Sequence, residues 1–314
     1  MSVENIIINC VRRSLLSYGK LFISDEVRER VHKKELSLKT MDDGFRDLAI
    51  MMGFGRYEFV DMRYEGDKDD FFTVSVTEPC SLPMCVAGHN ATMESILGYD
   101  HGVVYIGAGL DVYNITAFPS PHPDEFKGRL DMSRYDHREG DIELERCATC
   151  GGPKALSWLR WYTNRGIISN EKNKRRLAMM APSELDPVFK ELEDELGDTV
   201  PRVVVEAQRR FARTGFYSMD DVADAGDFRT QLAFRGLGNL KDLEVRRKGV
   251  HMLVENACLP LMIVGMMQGV FETAFDLESN VEWSYSDEGN LEVQITPAEI
   301  MQSVEGSVFP RSGV

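Results

Sequence analysis

The residues best suited to chemistry are a pair of cysteines, Cys147-Ala-Thr-Cys150, followed by Gly151, Gly152 and Pro153. Cys-x-x-Cys-Gly is the turn of a zinc knuckle, in which two thiolates converge on an ion and glycine relieves the crowded backbone. A structural zinc needs four ligands, and one such pair supplies two. The others could come from Cys80 and Cys85 or His89 by folding, or from His122 or His137. The same pair also reads as an unligated knuckle, or as a redox dithiol lacking the βαβ surroundings of a thioredoxin.

Cys85 and His89 are spaced i, i+4, so on a helix they share one face and could hold a metal together. Cys80, Cys85 and His89 read equally as plain core, because cysteine packs as a small hydrophobe. Glu94 and Glu272 recur at matching places in two similar stretches. They are either polar groups inside a ligand pocket or carboxylates that cap and pair at a helix end. Methionines such as Met84, Met262 and Met266 suit core packing, and equally a pocket for variable apolar ligands.

Other chemistries find no support. There is no Gly-x-Ser-x-Gly elbow, no His-Glu-x-x-His and no dinucleotide fingerprint. Gly53-Phe-Gly55 and Gly236-Leu-Gly238 precede strands and lack a following Gly-Lys-Ser/Thr, so they read as turns and not phosphate loops. Lys plus Arg is 36 and Asp plus Glu is 51, a net charge of −15. That opposes nucleic acid and anionic membrane surfaces, which need clustered positive charge. Arg209-Arg210 and Arg246-Arg247-Lys248 read as short exposed basic patches, and Glu191 to Glu195 as a solvated helix face. No apolar run is long enough for a membrane span. The N-terminus lacks a signal-peptide pattern and the six cysteines are sparse, which together predict a reducing cytoplasm.

The elements that must position these residues come in two similar sets, Phe45 to Thr116 and Phe228 to Pro297. Each opens with Phe-Arg, reaches its Gly-x-Gly, and continues through two β-like runs: Tyr57 to Tyr64 and Phe71 to Thr77, then Leu240 to Arg247 and Val250 to Glu255. Glu78 matches Glu255 and Pro83 matches Pro260 at an offset of 177, while Glu94 and Glu272 match at 178; a one-residue indel reconciles them. Pro83 and Pro260 fit the first turn of a helix, predicted to reach Leu97 and about Asp276. Two strands follow in each: Gly102 to Gly107 and Leu110 to Thr116, then Val281 to Ser286 and Leu291 to Thr296. Gly107-Ala-Gly109 and Asp287-Glu-Gly-Asn290 read as their hairpin turns. Helices are predicted ahead of the units over Ile6 to Gly19, Asp25 to Leu38, Leu185 to Leu196 (N-cap Ser183, stop Gly197) and Arg202 to Thr214. Between the units, Ala117 to Asp124 is a Pro-rich boundary. Trp158 to Thr163, Ile167-Ile168 and Arg176 to Met180 predict a small antiparallel sheet.

The second unit reads Glu255-Asn-Ala-Cys-Leu-Pro, then Gly265-x-x-x-Gly269-x-x-Glu272, Val281, and Asp287-Glu-Gly before a last strand. This pattern resembles the C-terminal part of the 4-vinyl reductase domain family, also called hydrocarbon-binding, over Phe228 to Pro297 and more weakly over Phe45 to Thr116. The resemblance implies a small-molecule-binding module, used as an aromatic-effector sensor or in tetrapyrrole metabolism. Family sensors hold zinc with a Glu and several cysteines around this helix and closing hairpin. Here the first unit keeps Glu78, Cys80 and Cys85 and adds His89, but its closing hairpin has no cysteine; the second keeps only Glu255 and Cys258. The chain itself carries no DNA-binding or ATPase segment, so a sensor role implies a separate output partner.

The expectation is therefore an α+β protein of two duplicated units (1–120 and 183–314), each with helices on an antiparallel sheet, flanking a Cys-x-x-Cys insert (121–182). It would bind a small, largely apolar ligand under the Pro83 or Pro260 helix, in a pocket drawing on Met84, His89, Glu94, Met262, Met266 and Glu272. A structural zinc at Cys147 and Cys150 with Cys80 and Cys85, and a protein partner or homodimer, belong to the same expectation. The rivals are a cofactor-dependent enzyme of tetrapyrrole or aromatic metabolism and a zinc-stabilised interaction scaffold.

Overall fold

The structure, a computed structural model, describes residues 2–123, 135–171, 173–216 and 225–298. Asp124, at the end of the expected Pro-rich boundary, and Lys172, within the expected insert, lie outside them. Serine hydroxyls start the first three helices. Ser2 accepts from the Asn5 N–H to open α1 (Val3–Phe22), Ser24 from Val27 to open α2 (Asp25–His32), and Ser37 from Thr40 to open α3 (Leu38–Met51). Each satisfies one of the amides that a helix start leaves unpaired. The single helix expected from Asp25 to Leu38 thus ends early: Lys34 turns left-handed, at φ 57°.

Next come β1 (Arg56–Arg63), β2 (Phe71–Thr77), α4 (Leu82–Leu97), β3 (His101–Gly109) and β4 (Val112–Pro119). The sheet is antiparallel, in the order β1-β2-β4-β3. The tight turn is Leu110-Asp111, not Gly107-Ala-Gly109; those glycines belong to β3, where the register slips between Gly107 and Gly109. Helix α4 lies between this sheet and α1, which explains why Met84 to Leu97 is buried nearly all round. Such a helix has no polar stripe.

The second half runs α5 (Pro182–Leu196), α6 (Val200–Phe211), α7 (Ala225–Phe234), β8 (Asn239–Arg246), β9 (Gly249–Glu255), α8 (Pro260–Phe275), β10 (Ser279–Tyr285) and β11 (Leu291–Pro297). Its sheet order, β8-β9-β11-β10, is that of the first sheet, and α8 lies against α6 as α4 lies against α1. Val74 pairs with Ile115, and Met252 with Val293, so one offset of 178 runs from β2 to β4. Cys80 therefore corresponds to Cys258 without an indel. Glu78 corresponds to Asn256, each with φ 52°. The Glu78–Glu255 and Pro83–Pro260 identities are one residue out of structural register. The start of α5 also differs from expectation: Ala181 is its N-cap, and Ser183 is a buried first-turn residue whose carbonyl accepts from Ser14.

Between the halves, β5 (Leu159–Tyr162), β6 (Ile167–Asn170) and β7 (Arg176–Leu177) form the expected small sheet. It docks on the first unit. The Gly55 N–H donates to Gly166, Trp161 Nε1 to the Met51 carbonyl, and Arg165 grips the Glu78 carboxylate with two hydrogen bonds. A Cβ on Gly166 would lie 1.9 Å from the Gly55 oxygen, so no other residue permits this approach.

Close approach also governs α6 and α8. A Cβ on Gly265 would meet the Val205 carbonyl at 2.3 Å, and one on Gly269 the Arg209 carbonyl at 2.4 Å. Gly265→Ala should cost about 2–3 kcal/mol in urea unfolding, since backbone and not a movable side chain must yield. Gly44→Ala, at an exposed position of α3 with nothing within 4 Å, should instead stabilise by about 0.5–1 kcal/mol.

Helix α5 packs on α1 and carries Glu184, which is 4 % exposed, with Oε2 lacking a partner among the described residues. Burial pushes its carboxyl up to about 7. The folded state therefore holds a proton there that the unfolded chain releases near pH 4.5, and stability falls as pH rises toward 7. Asp42 and Asp186, also raised by burial to about 6, act in the same direction; His89, lowered by burial to about 4, opposes them. In Glu184→Gln the fall in stability between about pH 5 and pH 8 should shrink by about 2 kcal/mol in urea titrations at the two pH values.

Candidate functional site

The two recurrent glutamates sit at one structural position. Near the end of α4, Asn90 Nδ2 donates to the carbonyl of His101 at 3.0 Å, and Glu94 Oε1 accepts the His101 N–H at 3.1 Å. Near the end of α8, Gln268 Nε2 donates to the carbonyl of Ser279 at 3.0 Å, and Glu272 Oε1 accepts the Ser279 N–H at 2.9 Å. In each unit an amide and a carboxylate four residues apart, on one helical face, thus grip both peptide groups of the first residue of the next strand. That strand is a sheet edge reached after a reversal of three residues, so its first N–H would otherwise be buried unpaired.

An arginine from the outer helix completes each clamp. Arg12 Nη1 on α1 reaches Glu94 Oε2 at 2.6 Å, and Arg209 Nη1 on α6 reaches both oxygens of Glu272 at 2.8 Å. The pairs differ in surroundings. Arg12 and Glu94 side chains are 4 % and 3 % exposed. Arg209 also binds Glu206 and Glu278 near the surface, and Arg213 joins Glu272 and Glu278. Arg209 is thus part of a network and not the exposed basic patch that the sequence suggests. Glu191, expected on a solvated face, is likewise buried.

His122, just beyond β4, makes the first clamp distinctive. Its Nε2 donates to Glu94 Oε1, and its backbone N–H donates to Asp100 Oδ2 at 3.1 Å. Burial alone would raise the Glu94 carboxyl; His122, Arg12 and the His101 N–H together outweigh it and hold the group below the usual value. Tyr99 stacks on His101 with ring centroids 4.7 Å apart, and His32 stacks on Tyr99 at 6.3 Å. A cleft of about 560 Å³ opens here, lined by Leu16, Ile23, Asp25, Arg28, Tyr99 and Asp100, with Glu94 on its wall.

The expected pocket under the Pro83 and Pro260 helices takes a different form. Met84, His89, Met266 and Glu272 are buried, and Met262 half-buried, within the two helices. Met84 and Met266 belong to the packed cores, and His89 Nε2 bonds the Phe72 carbonyl at 3.1 Å. Burial holds the His89 ring neutral, with its pKa lowered to about 4. Of the six residues, only Glu94 lines the cleft.

The four expected zinc ligands do not gather either: among the described residues no three His, Cys, Asp or Glu side chains could hold one ion. Cys85 Sγ turns to the Phe54 carbonyl at 3.3 Å and to the Cys80 thiol. Glu78 is spent on Arg165, and Cys258 lies 3.4 Å from His137 Nε2. Burial, with the charge of Asp186, pushes the Cys258 thiol up to about 12, so it remains protonated. The donor set implied by the family resemblance therefore does not fit zinc. Cys147 and Cys150 stand apart on an exposed turn; the N–H groups of Cys150 and Thr149 lower the Cys147 thiol to about 7.

Asn90, Gln268, Arg12, and His122 as the partner of Glu94 escaped sequence reasoning. The spacing of amide to Glu, Asn90 to Glu94 and Gln268 to Glu272, was the available signal. Glu94→Gln should cost about 3–5 kcal/mol in urea unfolding, because it strands a buried Arg12. Glu272→Gln should cost clearly less, since Arg209 keeps Glu206 and Glu278.

No family model matches the chain, and no curated protein matches it. Among solved structures it is similar to the phenol-responsive sensory domain of the transcription activator PoxR, crystallised with phenol. That similarity has a TM-score of 0.36 and 12 % identity, and covers 45 % of this chain and 86 % of that one. A variant H-NOX from T. tengcongensis is similar with a TM-score of 0.28 and 16 % identity, over 41 % of this chain and 80 % of that one.

Proposed function

We propose that the protein binds a small organic molecule in the cleft at the C-terminal end of α4 and serves as a ligand-responsive or carrier module. The observation that carries this reading is the position of Glu94. It forms part of the cleft wall and ties α1, β3 and the His122 connection together. A molecule seated there touches the group on which three segments depend.

The lining sets the ligand class. Tyr99, Leu16 and Ile23 offer aromatic and aliphatic surface, while Asp25 and Asp100 offer acceptors. Arg28 is already engaged by Asp25 and by the Ser95 carbonyl. The cleft therefore favours a one- or two-ring molecule with a hydroxyl or amino donor, a more polar ligand than the sequence suggests. A volume of about 560 Å³ is in the range of small-molecule sites. We further infer that the two units are diverged copies of one module, as the 4-vinyl reductase resemblance implies. The common strand order, the constant offset of 178 and the repeated clamp support that inference.

Native mass spectrometry of the chain from its own host should reveal an organic adduct that Tyr99→Ala removes. Phenol and benzylamine, added as probes, should raise the melting temperature saturably in the wild type and not in Tyr99→Ala. At a hundred times Kd the expected gain is about 2.7 kcal/mol. Adduct-free protein that also ignores a panel of phenols and arylamines would sink the proposal.

A further inference from the structure

The Cys147–Cys150 turn is built as a ligand pair. The Cys147 N–H donates to the Gly152 carbonyl at 2.8 Å, and the Gly151 N–H donates back to Cys147 at 2.9 Å. Arg146 and Pro153 pair across its base, and Gly151 takes φ 72°, which its position in the turn requires. The backbone N–H groups of Thr149 and Cys150 point at the Cys147 sulfur, and the two thiols lie within hydrogen-bonding reach of each other. That is the geometry of half a tetrahedral thiolate site.

The other half is not supplied by this chain's cysteines and histidines. All six of each lie among the described residues, and none joins Cys147 and Cys150 in a three-ligand group. Their donor atoms are engaged elsewhere: His122 by Glu94, His137 by Cys258, His89 by Phe72, and Cys85 by Phe54 and Cys80. The turn meanwhile faces outward, with Cys150 and its neighbours Ala148, Thr149 and Gly151 all exposed. Zinc bound by thiolate is almost always four-coordinate in a structural site. A two-fold axis through the ion would bring a second Cys147–Cys150 pair and close the shell.

We propose that Cys147 and Cys150 form an intermolecular zinc site, in which two copies of the chain each give two thiolates to one ion. Four thiolates around Zn²⁺ leave a net charge of −2. Arg146, bonded to the Gly151 carbonyl, brings one guanidinium per copy beside it. Each chain carries a net charge of −15, so without the metal the two copies repel.

The test uses the full chain, reduced with a phosphine and stripped of metal. Zinc alone is then added, and molar mass is followed by light scattering together with elemental analysis. The expected result is a dimer with one zinc per two chains, reversed by EDTA. Cys147→Ser and Cys150→Ser should each weaken dimerisation by at least about a hundredfold, while unfolding in urea like the wild type, because the turn is exposed. Cobalt(II) in place of zinc should give sulfur-to-metal charge-transfer absorption in the dimer. The Cys80→Ser/Cys85→Ser double variant should dimerise normally. A monomer that binds one zinc per chain, a dimer indifferent to EDTA, or a chain that binds no zinc would overturn the proposal.

Discussion

A buried carboxylate that must be neutralised organises this molecule. Removing Glu94 or Glu272 from water costs several kcal/mol before any partner is counted. That cost is offset only if each lone pair meets a donor, and the donors come from different parts of the chain. Arg12 lies 82 positions before Glu94, and Arg209 lies 63 before Glu272. The outer helix, the central helix and the first residue of an edge strand are thereby fixed by one group. Asn90 and Gln268 add the carbonyl side of the same grip. Such a pair contributes little net stability, but a wrong helix register would leave a bare charge in the core, so the clamp specifies the arrangement. The same constraint is met in both units, although few other side chains around it agree.

The units differ in how the clamp meets solvent. In the second, Arg213, Glu206 and Glu278 extend it into a surface network where water shares the charge. In the first, the ion pair is sealed and the additional donor is an imidazole, His122. The closest helix contact also moves. Gly265 and Gly269 on α8 accept the backbone of α6, whereas the corresponding positions on α4 are Ala87 and Ala91, and Gly19 on α1 makes room for Ser95 instead. One packing problem thus has two local solutions. The cleft lies beside the sealed clamp, where the charged groups are held in place by their partners.

Most of the scaffold was legible because it is periodic. Alternation of apolar and polar residues marked β9 and β11 and a run of β-forming residues marked β2, all close to their observed ends, and a proline in the first turn gave α4 and α8. The misreadings share a physical origin. Identity of residue type put Glu78 with Glu255, but backbone conformation pairs Glu78 with Asn256, because both must take positive φ after a strand. Ser183 has the right chemistry for an N-cap, yet the first turn begins before it and buries it against α1. The methionines stayed open between core and pocket lining because a buried Met and a ligand-facing Met have the same sequence pattern; Met84 and Met266 are core. Of the site, Glu94 and Glu272 were visible as a recurrence. Their arginines were not, since nothing in a sequence marks which distant basic residue will be desolvated.

The position of His122 connects the cleft to the rest of the chain. It lies where the first unit hands over to the connection, and its ring and backbone bind Glu94 and Asp100, both of which line the cleft. Fifteen positions later, His137 and Arg138 are docked on the second unit: His137 against Cys258, and Arg138 against Asn256 and Asn290. Asp141 then ties the same stretch to Arg229 and Asn239. The connection is therefore pinned at one end by the clamp of the first unit and at the other by the helix start of the second. A ligand that changed the hold of Asp100 or Glu94 on His122 would act on a segment already committed at both ends. Such a change can bias how the units sit only if bound and free states differ in that one contact, since a ligand shifts an equilibrium by no more than its differential affinity. Glu94 is the group placed to couple the two, because it is part of the cleft wall and an anchor of the segment at once.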